Sequence, residues 1–130
     1  MAHLDIKPDN ILIDDDLQLK LLDFGSSESI SATNIDHWVS TVNYAPPEVL
    51  DIAGQRYKTG LGKPFAAGPV DIFNIGTTLF TLIAQVFPFN IDCNNSNPMN
   101  DNVYQTLYKR DEKDIQKNSF FNHHKNNIYN

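Results

Sequence analysis

Two short apolar runs, Ile-Leu-Ile at 11–13 and Leu-Gln-Leu-Lys-Leu-Leu at 17–22, flank the acidic triplet Asp14, Asp15 and Asp16. Short apolar segments around a polar connection predict a β-hairpin. Directly ahead lies HLDIKPDN, residues 3–10, in which Pro8 removes a backbone donor and biases Lys7 towards extended geometry. That stretch reads as a loop feeding the first strand. From Gly25 to about Ser40 the chain is rich in Ser, Thr and Asn without periodicity, which predicts a long loop. Pro46-Pro47-Glu48 predicts the opening of a short helix through Ala53, since Pro suits a first turn and an acid suits the positive end of the helix dipole. Residues 54–69 hold four Gly and two Pro and read as an irregular connection. Val70 to about Val86 predicts a helix, apolar nearly all round and therefore expected in the interior. An Asn-rich loop at 94–102, a short amphipathic helix from Asn102 to Lys109 and a polar tail at 111–130 complete the pattern. The fold class is mainly α with a small β-hairpin.

At 130 residues the chain is one domain or one piece of a domain, with enough apolar content to build a core. A formal charge of −6 argues against nucleic acid as a partner, which calls for a basic stripe. Cys93 stands alone, which excludes a disulfide framework and a four-cysteine metal site. No basic start followed by an apolar stretch marks a secretory signal, and the expected location is intracellular, in the cytoplasm. Val70 to Phe89 approaches membrane length but contains Asp71, Asn74, Gln85 and three Thr, so a core helix is expected rather than a membrane span.

A hairpin turn centred between Asp16 and Leu17 places Asn10 and Asp23 opposite each other at its open end. Two hard oxygen ligands then converge, and Mg²⁺ typically takes one or two protein oxygens and leaves its other positions to water and phosphate. Asp5 and Lys7 belong to the same loop mouth. A base, a cation and two metal ligands at one edge form a constellation suited to phosphoryl transfer.

These residues also carry a family resemblance. HLDIKPDN resembles the protein-kinase catalytic loop H-R-D-L-x-x-x-N, and Asp23-Phe24-Gly25 matches the D-F-G motif. STVNYAPPE resembles the end of the activation segment, with Pro46-Pro47-Glu48 in place of A-P-E. DIFNIG, residues 71–76, resembles the opening of the family's central buried helix, and FPF the segment after it. The likeness runs from about residue 3 to 90, continues more weakly to about 110, and is to the C-terminal lobe. It divides the chain into a partial kinase domain at 1–110 and the tail at 111–130.

The resemblance implies an ATP-dependent Ser/Thr protein kinase acting on a protein Ser or Thr, with ATP and Mg²⁺ as cofactors. Asp5 would accept or orient the proton of the substrate hydroxyl, and Lys7 would place a positive charge on the moving phosphoryl group. Asn10 and Asp23 would bind the metal, and Leu12 would form part of the floor under adenine. Thr41 would bond to the catalytic Asp and Lys, and Tyr44 would shape the substrate groove. His3 and Phe24 would stack, Gly25 would complete the D-F-G turn, Glu48 would need a charge partner, and Asp71 would hold the catalytic-loop backbone.

The departures from the family pattern shape the expectation. Leu4 replaces the Arg that gathers a phosphate on the activation segment, which puts in doubt any switching through Ser26, Ser27, Ser29, Ser31 or Thr33. Ser40 stands where Gly is usual and Pro46 where Ala is usual. The link from Glu48 to Asp71 is longer than is common, and no Arg for Glu48 is evident. No G-x-G-x-x-G loop, V-A-I-K lysine or helix-C glutamate stands in these 130 residues, so the chain alone is expected to be inactive and to be cut from something longer. The alternative is a kinase-derived fragment or pseudokinase that binds a partner without catalysis.

Other signals have plainer readings. The Asp14–Asp16 run lacks the Gly and closing Glu of a calcium loop, and the alternating oxygens from Asp92 meet Asn97 and Val103 where such a loop needs Gly and an acid. His123-His124 reads as a surface pair and Trp38 as a packing anchor. Lys109, Arg110, Lys113 and Lys117 alternate with acids as on a solvated helix face.

Overall fold

The computed structural model describes residues 1–50 and 63–89. The end of the helix expected through Ala53, the loop at 94–102, the helix at 102–109 and the tail lie outside the described residues. After an extended start, a 3-10 turn at Pro8–Asn10 leads into β1 (Ile11–Ile13), which pairs antiparallel with β2 (Leu19–Leu21). Further 3-10 turns stand at Phe24–Ser26 and Val42–Tyr44. Residues 47–50 are helical, as the Pro-Pro-Glu signal predicts, and α1 runs from Ala67 to Ala84.

The hairpin register differs from the sequence expectation by one residue. Ile11 pairs with Leu21 and Ile13 with Leu19, and the Leu22 amide donates to the Asn10 carbonyl, so Asn10 faces Leu22 rather than Asp23. The reason lies in the turn. The Leu17 amide donates to the Asp14 carbonyl and the Asp14 amide to the Gln18 carbonyl, leaving Leu17 as an added left-handed residue at φ 59°. The loop is therefore centred on Asp16, and β2 begins at Leu19 rather than at Leu17. Asp14 holds this turn from the side, its Oδ1 accepting from the amides of Asp16 and Gln18.

Helix α1 begins three residues before the predicted Val70 and ends at Ala84 rather than Val86. Gly68 and Pro69, read as loop residues, fall within its first turn, where a missing N–H leaves no hydrogen bond unmade. Gln85 closes the helix in the left-handed region at φ 57°, its amide bonded to the Thr81 carbonyl. The helix is also less enclosed than an all-round apolar pattern implies. Val70, Asn74, Thr77 and Thr78 are buried, whereas Ile72, Leu79, Leu82 and Ile83 are exposed.

One face of α1 packs on the core, which gathers Ala2 and Leu4 from the start, Ile35 and Val39 from the long loop, Ala45, Val49 and Leu50 from the next turn, and Phe65 and Phe89. Two bridges tie the loop to this core, Ala2 with Glu28 and Ile35 with Phe65. Phe73 stacks on Phe89 with ring centroids 5.9 Å apart. Leu4 is fully buried although its φ is 67°, a conformation that costs a non-Gly residue roughly 1–2 kcal/mol. The cost is offset at the site.

Candidate functional site

The loop from His3 to Asn10 is held from below by α1. Asp71, on the first turns of that helix, accepts from the His3 and Leu4 amides at 2.7 Å each, one through each carboxylate oxygen. Two amides that point the same way need the left-handed Leu4, and the carboxylate rewards them with charge-assisted bonds. Two turns further along, the Thr78 hydroxyl donates to the Ile6 carbonyl at 3.3 Å. His3 is itself buried, its Nε2 2.8 Å from the Leu22 carbonyl and its ring 5.0 Å from that of Phe24. The loop is thus fixed to the helix on one side and to the hairpin end on the other.

Asp5, Lys7 and Thr41 close a triangle above this support. Lys7 Nζ lies 3.0 Å from Asp5 Oδ2 and donates to Thr41 Oγ1 at 2.6 Å, while the Thr41 hydroxyl donates to Asp5 Oδ1 at 2.8 Å. The Asp5 and Lys7 side chains keep 15% and 20% of their exposure, enough to meet a solute without being free to swing. Asn10 Nδ2 donates to the Asp5 carbonyl at 2.9 Å and to Asp5 Oδ2 at 3.3 Å. Its Oδ1 makes no hydrogen bond among the described residues and remains available as an oxygen donor. The sequence places Asp5, Lys7, Asn10 and Thr41 together, and the structure does bring them together.

Asp23 follows the last hairpin pair at once. It is left-handed at φ 58°, and its Oδ1 accepts from the Gly25 amide at 3.2 Å, which opens the turn through Phe24 and Gly25. A Cβ at Gly25 would lie 3.1 Å from that same carboxylate oxygen, a tight contact that a shift of a few tenths of an ångström in the side chain would relieve. The second carboxylate oxygen has no partner among the described residues. Leu12 is half-exposed on β1. Glu48 is partly buried and makes no ion pair among the described residues.

Tyr44 is buried and meets Phe87 edge to face, with centroids 5.5 Å apart. Burial, and next the charge of Asp9, push its phenol above the ordinary tyrosine range. Three residues were not singled out as site residues from the sequence: Ser40, Asn74 and Thr78. A signal for two of them exists, because Asp71, Asn74 and Thr78 recur at helical spacing and so share one polar stripe on an otherwise apolar helix.

A profile described as the protein kinase domain matches residues 1–128. The chain belongs to the protein kinase family. Serine/threonine-protein kinase PSK1 of Saccharomyces cerevisiae is 37% identical over 93 residues, covering 71% of this kinase-domain chain and 6% of that protein. Serine/threonine-protein kinase PTK2 of Candida glabrata is 35% identical over 104 residues, 72% of this chain and 13% of its own length. The liver/testis phosphorylase b kinase gamma catalytic chain of Mus musculus is 38% identical over 90 residues, 68% of this chain and 21% of its own. The chain spans between 6% and 21% of these three relatives.

Proposed function

We propose that this chain is the C-terminal lobe of an ATP-dependent Ser/Thr protein kinase and carries the catalytic half of its active site. The observation that supports the reading best is the Asp5–Lys7–Thr41 triangle with Asn10 against it. Asp5 accepts the proton of the acceptor hydroxyl, help worth roughly 10²–10⁴-fold in rate. Lys7, held by both Asp5 and Thr41, keeps a positive charge beside the path of the phosphoryl group. Thr41 ties the acceptor-side turn, which Tyr44 shapes from within, to the base, so that the acceptor hydroxyl meets Asp5 in a fixed position.

The donor set suits Mg²⁺. Asn10 Oδ1 and one Asp23 oxygen are hard oxygens without a hydrogen-bond partner among the described residues. Two protein oxygens, with water and phosphate in the other positions, match the habit of that ion. When bound, Mg²⁺ would offset the charge of the ATP phosphates. Leu12, half-exposed on β1, offers apolar surface for an adenine ring.

Helix α1 has the length and composition to cross a membrane, with a mean hydropathy of 1.3. The bonds from Asp71, Asn74 and Thr78 to the loops above it support a core helix instead.

The 130 residues hold no glycine-rich loop and no strand lysine to cover the phosphates, so the chain alone is inactive in this reading. The test is a chimera in which the matched segment replaces its counterpart in the mouse phosphorylase b kinase gamma catalytic chain. Transfer of labelled γ-phosphate by the chimera, lost on Asp5→Asn and on Asp23→Asn and absent from the chain alone, is the expected result. A second reading, a kinase-derived module that binds a partner without catalysis, is favoured by the apolar residues exposed on the hairpin and on α1. A folded chimera without transfer would leave that second reading in place of the first.

A further inference from the structure

Between the two α1 residues that hold the Asp5 loop stands a third polar residue, and it serves a different segment. Asn74 is fully buried, and its Nδ2 donates twice, to the Ser40 hydroxyl at 3.0 Å and to the Tyr44 carbonyl at 2.6 Å. A carbonyl can only accept, so Tyr44 fixes which way the amide faces. The consequence is that Asn74 Oδ1 is buried with no partner among the described residues. A leucine of similar size would fill the same space without an orphaned oxygen, so packing does not explain the amide.

Its two protons do. Ser40 lies at φ 70°, in the left-handed region where a side chain is rarely carried, and it is buried there. The bond from Asn74 is what its hydroxyl gains in that conformation. Ser40 and Tyr44 bracket Thr41 and the 3-10 turn at Val42–Tyr44. One amide therefore clasps both ends of the segment whose Thr41 hydroxyl reaches Asp5 and Lys7. On the same helix face, Asp71 and Thr78 fix the loop that carries Asp5.

We propose that Asn74 and Ser40 are paired positioning residues, which set the place of Thr41 and Tyr44 against Asp5 and Lys7. Their meaning for catalysis rests on the kinase reading above; the pairing itself does not. Neither residue touches a substrate in this account, and each acts through Thr41.

The experiment is methyl NMR on the 130-residue chain with ¹³C-labelled threonine methyls. It follows the Thr41 resonance and its cross-peak to the Lys7 ε-protons. Asn74→Leu is expected to shift the Thr41 resonance and to abolish the cross-peak. Ser40→Ala keeps a side chain at φ 70° without the bond and is expected to shift Thr41 in the same direction. Ser40→Gly, which holds that conformation without strain, is expected to shift it less. A merely structural Asn74 lowers the unfolding midpoint and leaves the native Thr41 signal where it was, an outcome that overturns the proposal. A Thr41 resonance left unmoved by Ser40→Ala overturns the pairing. Should Asn74→Leu not fold, Ser40→Ala decides on the same readout, since it removes only a hydroxyl and a bond at the edge of the clasp. No signal here depends on phosphoryl transfer, so the result stands apart from that of the chimera.

Discussion

Replacing Asp71 by Asn changes a single heavy atom and tests how the His3–Asn10 loop is held. The carboxylate accepts two backbone N–H groups at 2.7 Å, one on each oxygen, and both donors belong to buried residues. Hydrogen bonds to a charged group contribute about 1.5–3 kcal/mol each, against about 1 kcal/mol for a neutral pair. An Asn side chain offers one acceptor and sets its NH₂ against the other amide. One charged bond is lost outright, the second becomes neutral, and a buried donor is left facing a donor. Together these amount to about 3 kcal/mol, which for a chain of this size lowers the thermal midpoint by on the order of 10 °C. Asp9→Asn, at an exposed carboxylate, is the control and is expected to stay within about 0.5 kcal/mol. Urea unfolding followed by circular dichroism measures both. If Asp71→Asn costs no more than Asp9→Asn, the two amides are not what holds the loop, and the account of a left-handed Leu4 offset by Asp71 is wrong.

Four further outcomes follow from other parts of the structure. The Lys20 ammonium beside Asp14, and then the Gln18 amide, hold the Asp14 carboxyl below its ordinary range; its contribution is complete above about pH 4 and is lost as pH falls through the folded value, so Lys20→Met should flatten the acid limb of thermal midpoint against pH. Tyr44 is pushed the other way, so its contribution is complete below about pH 10 and is lost as pH rises beyond, and Tyr44→Phe should reduce the alkaline loss of stability. Val70→Ala, at a fully buried position, should cost about 2 kcal/mol, whereas Ile72→Ala on the exposed face of α1 should cost less than about 0.5 kcal/mol. Ser29→Glu should not raise the thermal midpoint, because Leu4 is buried in the core and Lys7 is already engaged by Asp5 and Thr41; a clear rise would show that a cation does collect charge on this segment.

What the sequence made legible was the part governed by short-range chemistry. Pro8 and the acid-rich connection mark the loop and hairpin because Pro geometry and polar turns act within a few residues. Asp5, Lys7 and Asn10, at most five residues apart, read as one site from the residues themselves; Thr41, 34 and 36 residues from Lys7 and Asp5, enters only through the family resemblance, and the four side chains do share hydrogen bonds. The hairpin register was missed because it depends on a left-handed Leu17, a residue whose side chain gives no sign of that conformation. The start of α1 was missed because Gly68 and Pro69 break a helix interior yet fit its first turn, and only the packing of Ala67 on the core decides between them. Asn74 looked like a polar interruption of an apolar run. Its partners lie 30 and 34 residues away, a separation over which no local pattern carries information.

That last point bears on why so apolar a helix keeps polar residues at all. A helix buried only by apolar contacts can slide or rotate against its neighbours at little cost, since dispersion is not directional. Asp71 and Thr78 bond the loop that carries Asp5, Asn74 bonds the segment around Thr41, and the three lie along one edge of α1. Sliding the helix by one turn would break all three at once and leave a part-buried carboxylate without its two amides. The polar stripe therefore fixes the register of α1 against both the Asp5 loop and the Thr41 turn, at the cost of an orphaned Asn74 oxygen. In the proposed kinase reading this register is what a rigid helix supplies, since phosphoryl transfer depends chiefly on position.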